Sequence, residues 1–510
     1  MPIPGLRIDP DAATPVYRQI ADGVREAAVE GRLEDGERLP PTRDLARQLG
    51  VNRNTVVAAY ETLAAEGWIE SHTGRGTFVI RPDDSGDSRP DGPASDGDAD
   101  TWFTAFSRSA EDAAAGSLQT IFRLVTADEG ISFVASYPAA ELLPVEAFGR
   151  AMAETLADQG AAVLGYGPTA GHQPLRESIA ASMCRRGSVC DADSILITNG
   201  AQQALELVFR AFLERGDPVV IEEPTYTGAL SVLSALGARV VAVPVDEQGM
   251  RPDLLAIALE RHRPRLIYAQ PTFHNPTTAV MDEARRRELL ALARRHRCPV
   301  VEDDWGSELR LDGDEQPTLH ALDGGKHVIY LGTFSKKLMP GLRVGWVAAP
   351  RAVLDRLVEL KRLEDCGTSP ILQSALHTFL QHRGLERHLG RVLPAYRDRR
   401  DAMLEALERH LPAGASWTTP EGGMFVWVKL PPGFDGGDLF MAARREGVLY
   451  SRGELFHSDG SGRDCLRLTY AAASPEQIEE GVRRLGELIR ERRPGAAEPR
   501  RSAAEQMPIL

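Results

Sequence analysis

The sequence predicts a multidomain chain: a mainly α winged helix-turn-helix at the N-terminus, tethered to a larger α/β domain with a largely parallel sheet. Three observations carry this. Helix-spaced apolar patterns in the first 67 residues are followed by two strand-like runs around a glycine-rich basic tip. Residues 81–100 hold almost no apolar side chain. Beyond residue 130, short apolar runs alternate with helical patterns, as buried parallel strands separated by helices do.

At 510 residues the chain exceeds one ordinary core, and roughly 100 to 200 residues per domain implies two to four domains. Apolar residues make up 43% and charged residues 26%, a globular balance. The net charge of -14 excludes a generally basic nucleic-acid coat, so DNA contact has to come from a local patch. The five cysteines, at 184, 190, 298, 366 and 465, have no CxxC spacing, and no secretory signal precedes them. Reduced thiols in a cytoplasmic protein, with no disulfide framework and no metal site, are expected. No apolar run reaches membrane-spanning length.

In the N-terminal domain, Thr14-Pro15 reads as a cap and first helical turn, and Val16, Ile20, Val24, Ala27 and Ala28 recur at helical spacing. Thr42 caps a short helix closed by Gly50. Asn52 caps a third, with Val56, Val57, Tyr60, Leu63 and Ala64 on its buried side and Gly67 as its stop. Trp68-Ile69-Glu70 and Thr77-Phe78-Val79-Ile80 flank His72-Thr73-Gly74-Arg75-Gly76 as a hairpin. Residues 1–80 hold nine arginines against twelve acids, yet between 38 and 60 four arginines face Asp44 alone. The positive charge lies where phosphates would. Asn52, Arg53, Asn54 and Thr55 open the third helix, where such folds reach base edges. Arg53 suits guanine and Asn54 adenine, whereas Arg43 and, on the wing with Thr73 and Gly74, Arg75 can equally grip phosphate.

Residues 81–100 carry seven aspartates and two arginines among Ser, Gly and Pro. Like charges keep such a segment extended. Packing resumes at Trp102, Phe103 and Phe106.

In the large domain, strand-like runs at Ser194 to Thr198, Pro218 to Ile221, Arg265 to Tyr268, Pro299 to Glu302, His327 to Leu331 and Gly345 to Ala348 predict ligands at their carboxyl ends. After the first, Gly200, Ala201 and Gln202 open a helix whose free N–H groups suit a phosphate. Tyr226 follows the second, Asn275 the third and Asp303 the fourth. After the fifth comes Thr333-Phe334-Ser335-Lys336-Lys337, with Arg343 beyond. A lysine directly off an apolar strand, beside hydroxyls and ahead of an arginine, suits a Schiff base with a phosphorylated aldehyde.

Leu39-Pro40-Pro41-Thr42-Arg43, Leu49 to Val56 and Gly74-Arg75-Gly76-Thr77-Phe78-Val79 resemble the DNA-binding domain of GntR-superfamily repressors. Roughly residues 130 to 490 resemble fold-type-I aminotransferases that use pyridoxal 5′-phosphate (PLP), including a small α+β domain from about residue 390. That resemblance implies Lys336 as the Schiff-base lysine, Asp303 as partner of the pyridine nitrogen, Asn275 as donor to the ring hydroxyl and Tyr226 as stacking ring. It places Gly200, Ala201, Gln202, Thr333, Ser335 and Arg343 around the phosphate, and Arg467 on the ligand's carboxylate. Tyr166 would reach the neighbouring subunit's cofactor. One departure stands out: Trp305 occupies the place of a tyrosine that normally sits near the ring oxygen. Tryptophan has no acidic hydroxyl. Lys337 is the rival lysine, one place too far from the motif's serine.

The combination is the layout of MocR-type transcription regulators. It implies a winged domain over 10–80, an acidic linker over 81–115, a PLP domain over 116–490 with its small part at about 390–490, and a loose tail over 491–510. It further implies an internal aldimine at Lys336 that senses an amine, an amino acid or PLP itself, a double-stranded DNA operator, and a head-to-tail homodimer. The alternative is a working aminotransferase, with 2-oxoglutarate as acceptor, in which DNA binding is secondary.

Overall fold

The computed structural model describes residues 3, 8, 16–29, 32–33, 37–49, 51, 55–56, 59–60, 63, 68–72, 76–79, 130–134 and 136–492. The chain divides into two compact units, Met1–Trp102 and Phe103–Leu510.

In the first unit the helix Val16–Val29 buries Ile20, Val24, Ala27 and Ala28, the stripe expected from helical spacing. The helix Thr42–Leu49 adds Leu45 and Ala46 to the same core, and the helical residues Val56, Ala59, Tyr60 and Leu63 complete it. The Tyr60 hydroxyl donates to the Pro40 carbonyl at 2.8 Å, pinning the third helical segment to the approach of the second. Strands β1 (Arg38–Leu39), β2 (Ile69–His72) and β3 (Gly76–Val79) form an antiparallel sheet in the order β1-β3-β2. The hairpin is the expected wing; β1 is an addition, too short for a period-two pattern.

In the second unit, β4 (Ile131–Ser132) precedes β5 (Ile195–Thr198), β6 (Pro218–Glu223), β7 (Arg239–Asp246), β8 (Gly249–Met250) and β9 (Leu266–Ala269). Then come β10 (Val300–Asp304), β11 (Val328–Thr333) and β12 (Gly345–Ala348). The strands from β5 to β12 form one sheet in the order β5-β12-β11-β10-β9-β6-β7-β8, with β12 and β8 antiparallel to their neighbours. Strands β5, β9, β10, β11 and β12 are buried along their whole length, because helices cover both faces. Strand β7 carries Pro244 and alternates buried with exposed positions near the sheet's edge, where a proline is tolerated.

A second layer contains β13 (Ser416–Trp417), β14 (Phe425–Lys429), β15 (Val448–Leu449), β16 (Ser451–Arg452) and β17 (Cys465–Thr469). Its sheet runs β13-β14-β17-β16 and is packed by the helices Gly384–His410 and Pro475–Glu491. Strand β4 pairs in parallel with β15, so Phe133 and Val134 are buried in this core although they lie more than 200 residues before it.

Candidate functional site

The carboxyl ends of β5, β6, β9, β10 and β11 meet at a cavity of about 360 Å³. At its first corner Gly200 takes φ +81, a left-handed conformation that opens the helix Ala201–Phe212. A Cβ on Gly200 would lie 2.6 Å from Arg343 Nη2. The Arg343 guanidinium donates to the Asn199 carbonyl at 3.0 Å and to Ser335 Oγ at 3.4 Å, and the Ser335 N–H donates to Thr333 Oγ1 at 3.0 Å. Helix N-terminus, hydroxyls and guanidinium thus share one cup. Gly345 on β12 backs it: a Cβ there would sit 2.7 Å from Gly200 C and 2.8 Å from Ala201 N. Gly345→Ala is therefore expected to destabilise the fold by about 1–3 kcal/mol through overpacking, read as a lowered denaturation midpoint.

Lys336 faces the cavity, and its Nζ donates to the Ser136 carbonyl at 2.8 Å. Burial, then the nearby Arg467 and Arg343 charges, bring its amine down to about 8. Lys337 turns away: its Nζ is paired with Glu308 and lies 5.1 Å and 4.8 Å from the Phe334 and Trp346 ring centroids. Because a neutral amine is the nucleophile, the cofactor-free protein is expected to combine with an aldehyde faster as pH rises, with a midpoint near 8. Arg467→Met should move that midpoint upward, since it removes a like charge; rapid-mixing absorbance measures both.

Consecutive strand residues point to opposite faces, which separates the acids of β10. Glu302 accepts from the backbone N–H groups of Leu319 and His320 at 2.8 Å each. Burial pushes the Asp304 carboxyl up, but Arg186, Ser307 and Tyr330 together hold it below the usual range. Asp303 faces the cavity. Its Oδ2 accepts from the Tyr268 hydroxyl at 2.6 Å and from Gln270 Nε2 at 3.0 Å, while its buried Oδ1 has no partner. Burial raises this carboxyl to about 6 against the pull of those two donors.

The Tyr226 hydroxyl donates to Gln202 Oε1 at 3.1 Å, keeping its ring along the cavity wall. Arg467 lies between the Phe425 and Phe456 rings at 5.1 Å and 4.9 Å. It donates from Nη1 to Asn275 Oδ1 at 3.0 Å, and its buried Nε has no partner. Trp305 also lines the cavity, but its indole N–H donates to the Phe273 carbonyl at 3.1 Å and its ring stacks on Phe425. That N–H is therefore committed away from any ring oxygen. Tyr166 is 98% exposed and lies outside the cavity of its own chain. Of the expected DNA contacts, Thr55 is helical and half-buried, and Arg43 lies within the helix Thr42–Leu49. Asn52, Arg53, Asn54, Thr73, Gly74 and Arg75 fall outside the described residues, as do residues 81–129.

Residues 135–485 match the family described as "Aminotransferase class I and II", and residues 16–79 match "Bacterial regulatory proteins, gntR family". Across both parts the chain is 32% identical to the "Probable rhizopine catabolism regulatory protein MocR" of Rhizobium meliloti, over 94% of this chain and 95% of that protein. The chain belongs to the MocR-type regulators. It is equally 32% identical to the HTH-type transcriptional regulator YdfD of Bacillus subtilis, over 94% of this chain and 97% of that one. Among solved structures, LysN, the alpha-aminoadipate aminotransferase of Thermus thermophilus complexed with N-(5'-phosphopyridoxyl)-L-leucine, matches with a TM-score of 0.72. It is 38% identical, covering 76% of this chain and 98% of that one.

This MocR-type chain thus joins a GntR-type DNA-binding domain to an aminotransferase-like domain whose cofactor is PLP. The cavity fits that group: its cup can take a phosphate dianion, the free Asp303 Oδ1 can accept from a ring N–H, and Lys336 supplies an amine. Among the described residues no helix is long and apolar enough to cross a membrane. Val134, Ser136, Tyr137, Thr227, Gln270, Pro340 and Phe425 also line the cavity, and the sequence did not mark them as site residues. The first three come from the stretch that β4 threads into the second layer, a long-range pairing with no local signature.

Proposed function

We propose that this chain is a transcription regulator in which the PLP-holding domain senses a small amine or amino acid, or PLP itself, and sets the DNA affinity of the winged domain. The observation that carries it is the half-buried Lys336 amine, facing one cavity with the unpartnered Asp303 Oδ1 and with Arg467, in a chain that also bears a GntR-type reader. When bound, the cofactor supplies an aldehyde that condenses with amines and a pyridinium that draws electrons.

In this reading Lys336 would hold the cofactor covalently through its amine. Asp303 holds the ring nitrogen's proton, Asn275 faces the ring hydroxyl, and Tyr226 and Trp305 bound the ring. Gly200, Ala201, Gln202, Thr333, Ser335 and Arg343 hold the phosphate, and Arg467 the effector's carboxylate. In a head-to-tail homodimer, Tyr166 reaches the neighbouring subunit's site; its near-complete exposure, with that of Leu164 at 67%, fits a surface covered by a partner. Arg43, Asn52, Arg53, Asn54 and Thr55, with Thr73, Gly74 and Arg75 of the wing, contact a double-stranded operator in the cytoplasm. An effector moves the readers only by its differential affinity for their arrangements. Operator titrations with and without PLP and candidate amines test this; affinity unchanged under every condition would reject it.

The 38% identity to an aminotransferase over nearly its whole length favours a second reading, a turnover enzyme with DNA binding secondary. Repeated turnover with an amino donor and 2-oxoglutarate supports the enzyme, and a single half-reaction supports the sensor.

A further inference from the structure

We infer that Gln270 is a positioning residue that locks Asp303 and Asn275 into one unit, so that the two contacts to the cofactor ring are set together. The inference rests on the proposed ring contacts of Asp303 and Asn275.

Parallel pairing of β9 with β10 puts Tyr268 beside Val301 and Ala269 beside Glu302, so the chain delivers Gln270 next to Asp303. Three hydrogen bonds fix it there. Its backbone N–H donates to Glu222 Oε2 at 2.7 Å. Its side-chain Nε2 donates to Asp303 Oδ2 at 3.0 Å, and its Oε1 accepts from the Asn275 N–H at 3.1 Å. The amide's orientation is dictated, because a backbone N–H can only donate and an ionised carboxylate can only accept. The residue is 1% exposed, so water cannot replace either bond.

Tyr268 differs in kind: it also donates to Asp303 Oδ2, but among the described residues no hydrogen bond joins it to Asn275. With both donors on Oδ2, the Asp303 carboxylate is held with Oδ1 free. Asn275 in turn accepts from Arg467, so Gln270 ties the ring contacts to the carboxylate-binding arginine through a single amide. A leucine at 270 fills similar volume but leaves the Asn275 N–H unpaired and Asp303 held by one donor, at a buried site where such losses are costly.

The test uses the full chain with PLP and the variants Gln270→Leu, Tyr268→Phe, Asn275→Ala and Asp303→Ala, together with the doubles Gln270→Leu/Asn275→Ala and Tyr268→Phe/Asn275→Ala. Two quantities are read: the PLP dissociation constant, and the pH midpoint of the bound cofactor's visible absorbance. Gln270→Leu is expected to weaken PLP binding about tenfold or more. It should also raise the pH midpoint, because a ring nitrogen held less firmly protonated withdraws less charge from the lysine nitrogen. Its effect should be non-additive with Asn275→Ala, whereas that of Tyr268→Phe should be additive. Additivity for Gln270→Leu, or an unchanged pH midpoint, overturns the inference even if stability falls. If Gln270→Leu does not fold, Tyr268→Phe still decides: non-additivity with Asn275→Ala would assign the coupling to Asp303 itself and overturn the role of Gln270. Unchanged binding in Asp303→Ala and Asn275→Ala would instead reject the ring contacts on which the inference rests.

Discussion

Lys336→Ala is expected to abolish the visible absorbance that purified protein acquires with PLP, and with it any response of DNA binding to amines. Lys336 is the amine that faces the cavity, and burial with two neighbouring arginines lowers it to about 8. Lys337→Ala should keep the band, because that ammonium is committed to Glu308 and two aromatic rings. Its loss should appear as reduced stability instead, since Glu308, Arg186 and Asp304 share one charge network. A band that survives Lys336→Ala and vanishes with Lys337→Ala would reverse the assignment.

Asp303→Ala is expected to weaken PLP binding by about two orders of magnitude, the scale of removing one partner of a buried charge pair. Two donors stay aimed at the missing carboxylate, so part of the loss is the cost of leaving the Tyr268 hydroxyl and Gln270 amide unpaired. The pH dependence follows from the raised carboxyl. In the cofactor-free protein Asp303 titrates at about 6, and only the carboxylate can hold the ring nitrogen's proton. PLP affinity should therefore fall as pH drops through about 6. Asp303→Asn should remove this dependence, as equilibrium dialysis across the range would reveal.

Much of this site is legible because its parts are local. Lys336, Ser335 and Thr333 sit on one strand end, and Gly200 opens a helix directly after another, so short-range patterns place them. Buried runs marked the sheet because helices on both faces leave its central strands apolar throughout. What stayed hidden depends on distant pairing. Ser136 reaches Lys336 only because β4 joins β15, and Trp305 looks like a donor to the ring until the Phe273 carbonyl takes its indole N–H. Gln270 follows the apolar run Arg265 to Tyr268 by two places, yet its role emerges only from the β9–β10 register. Strand β7 was masked by Pro244, and β1 by its length of two residues.

Coupling between the cavity and the DNA reader is the central claim, and linkage makes it reciprocal: an effector that changes operator affinity must have its own affinity changed by the operator by the same factor. The direct measurement is an amine titration of the PLP-loaded protein, followed by visible absorbance, with and without saturating operator DNA. Midpoints separated by about fivefold or more are expected, the lower end of ordinary allosteric coupling. Superimposable curves for an amine that reacts at Lys336 would contradict it.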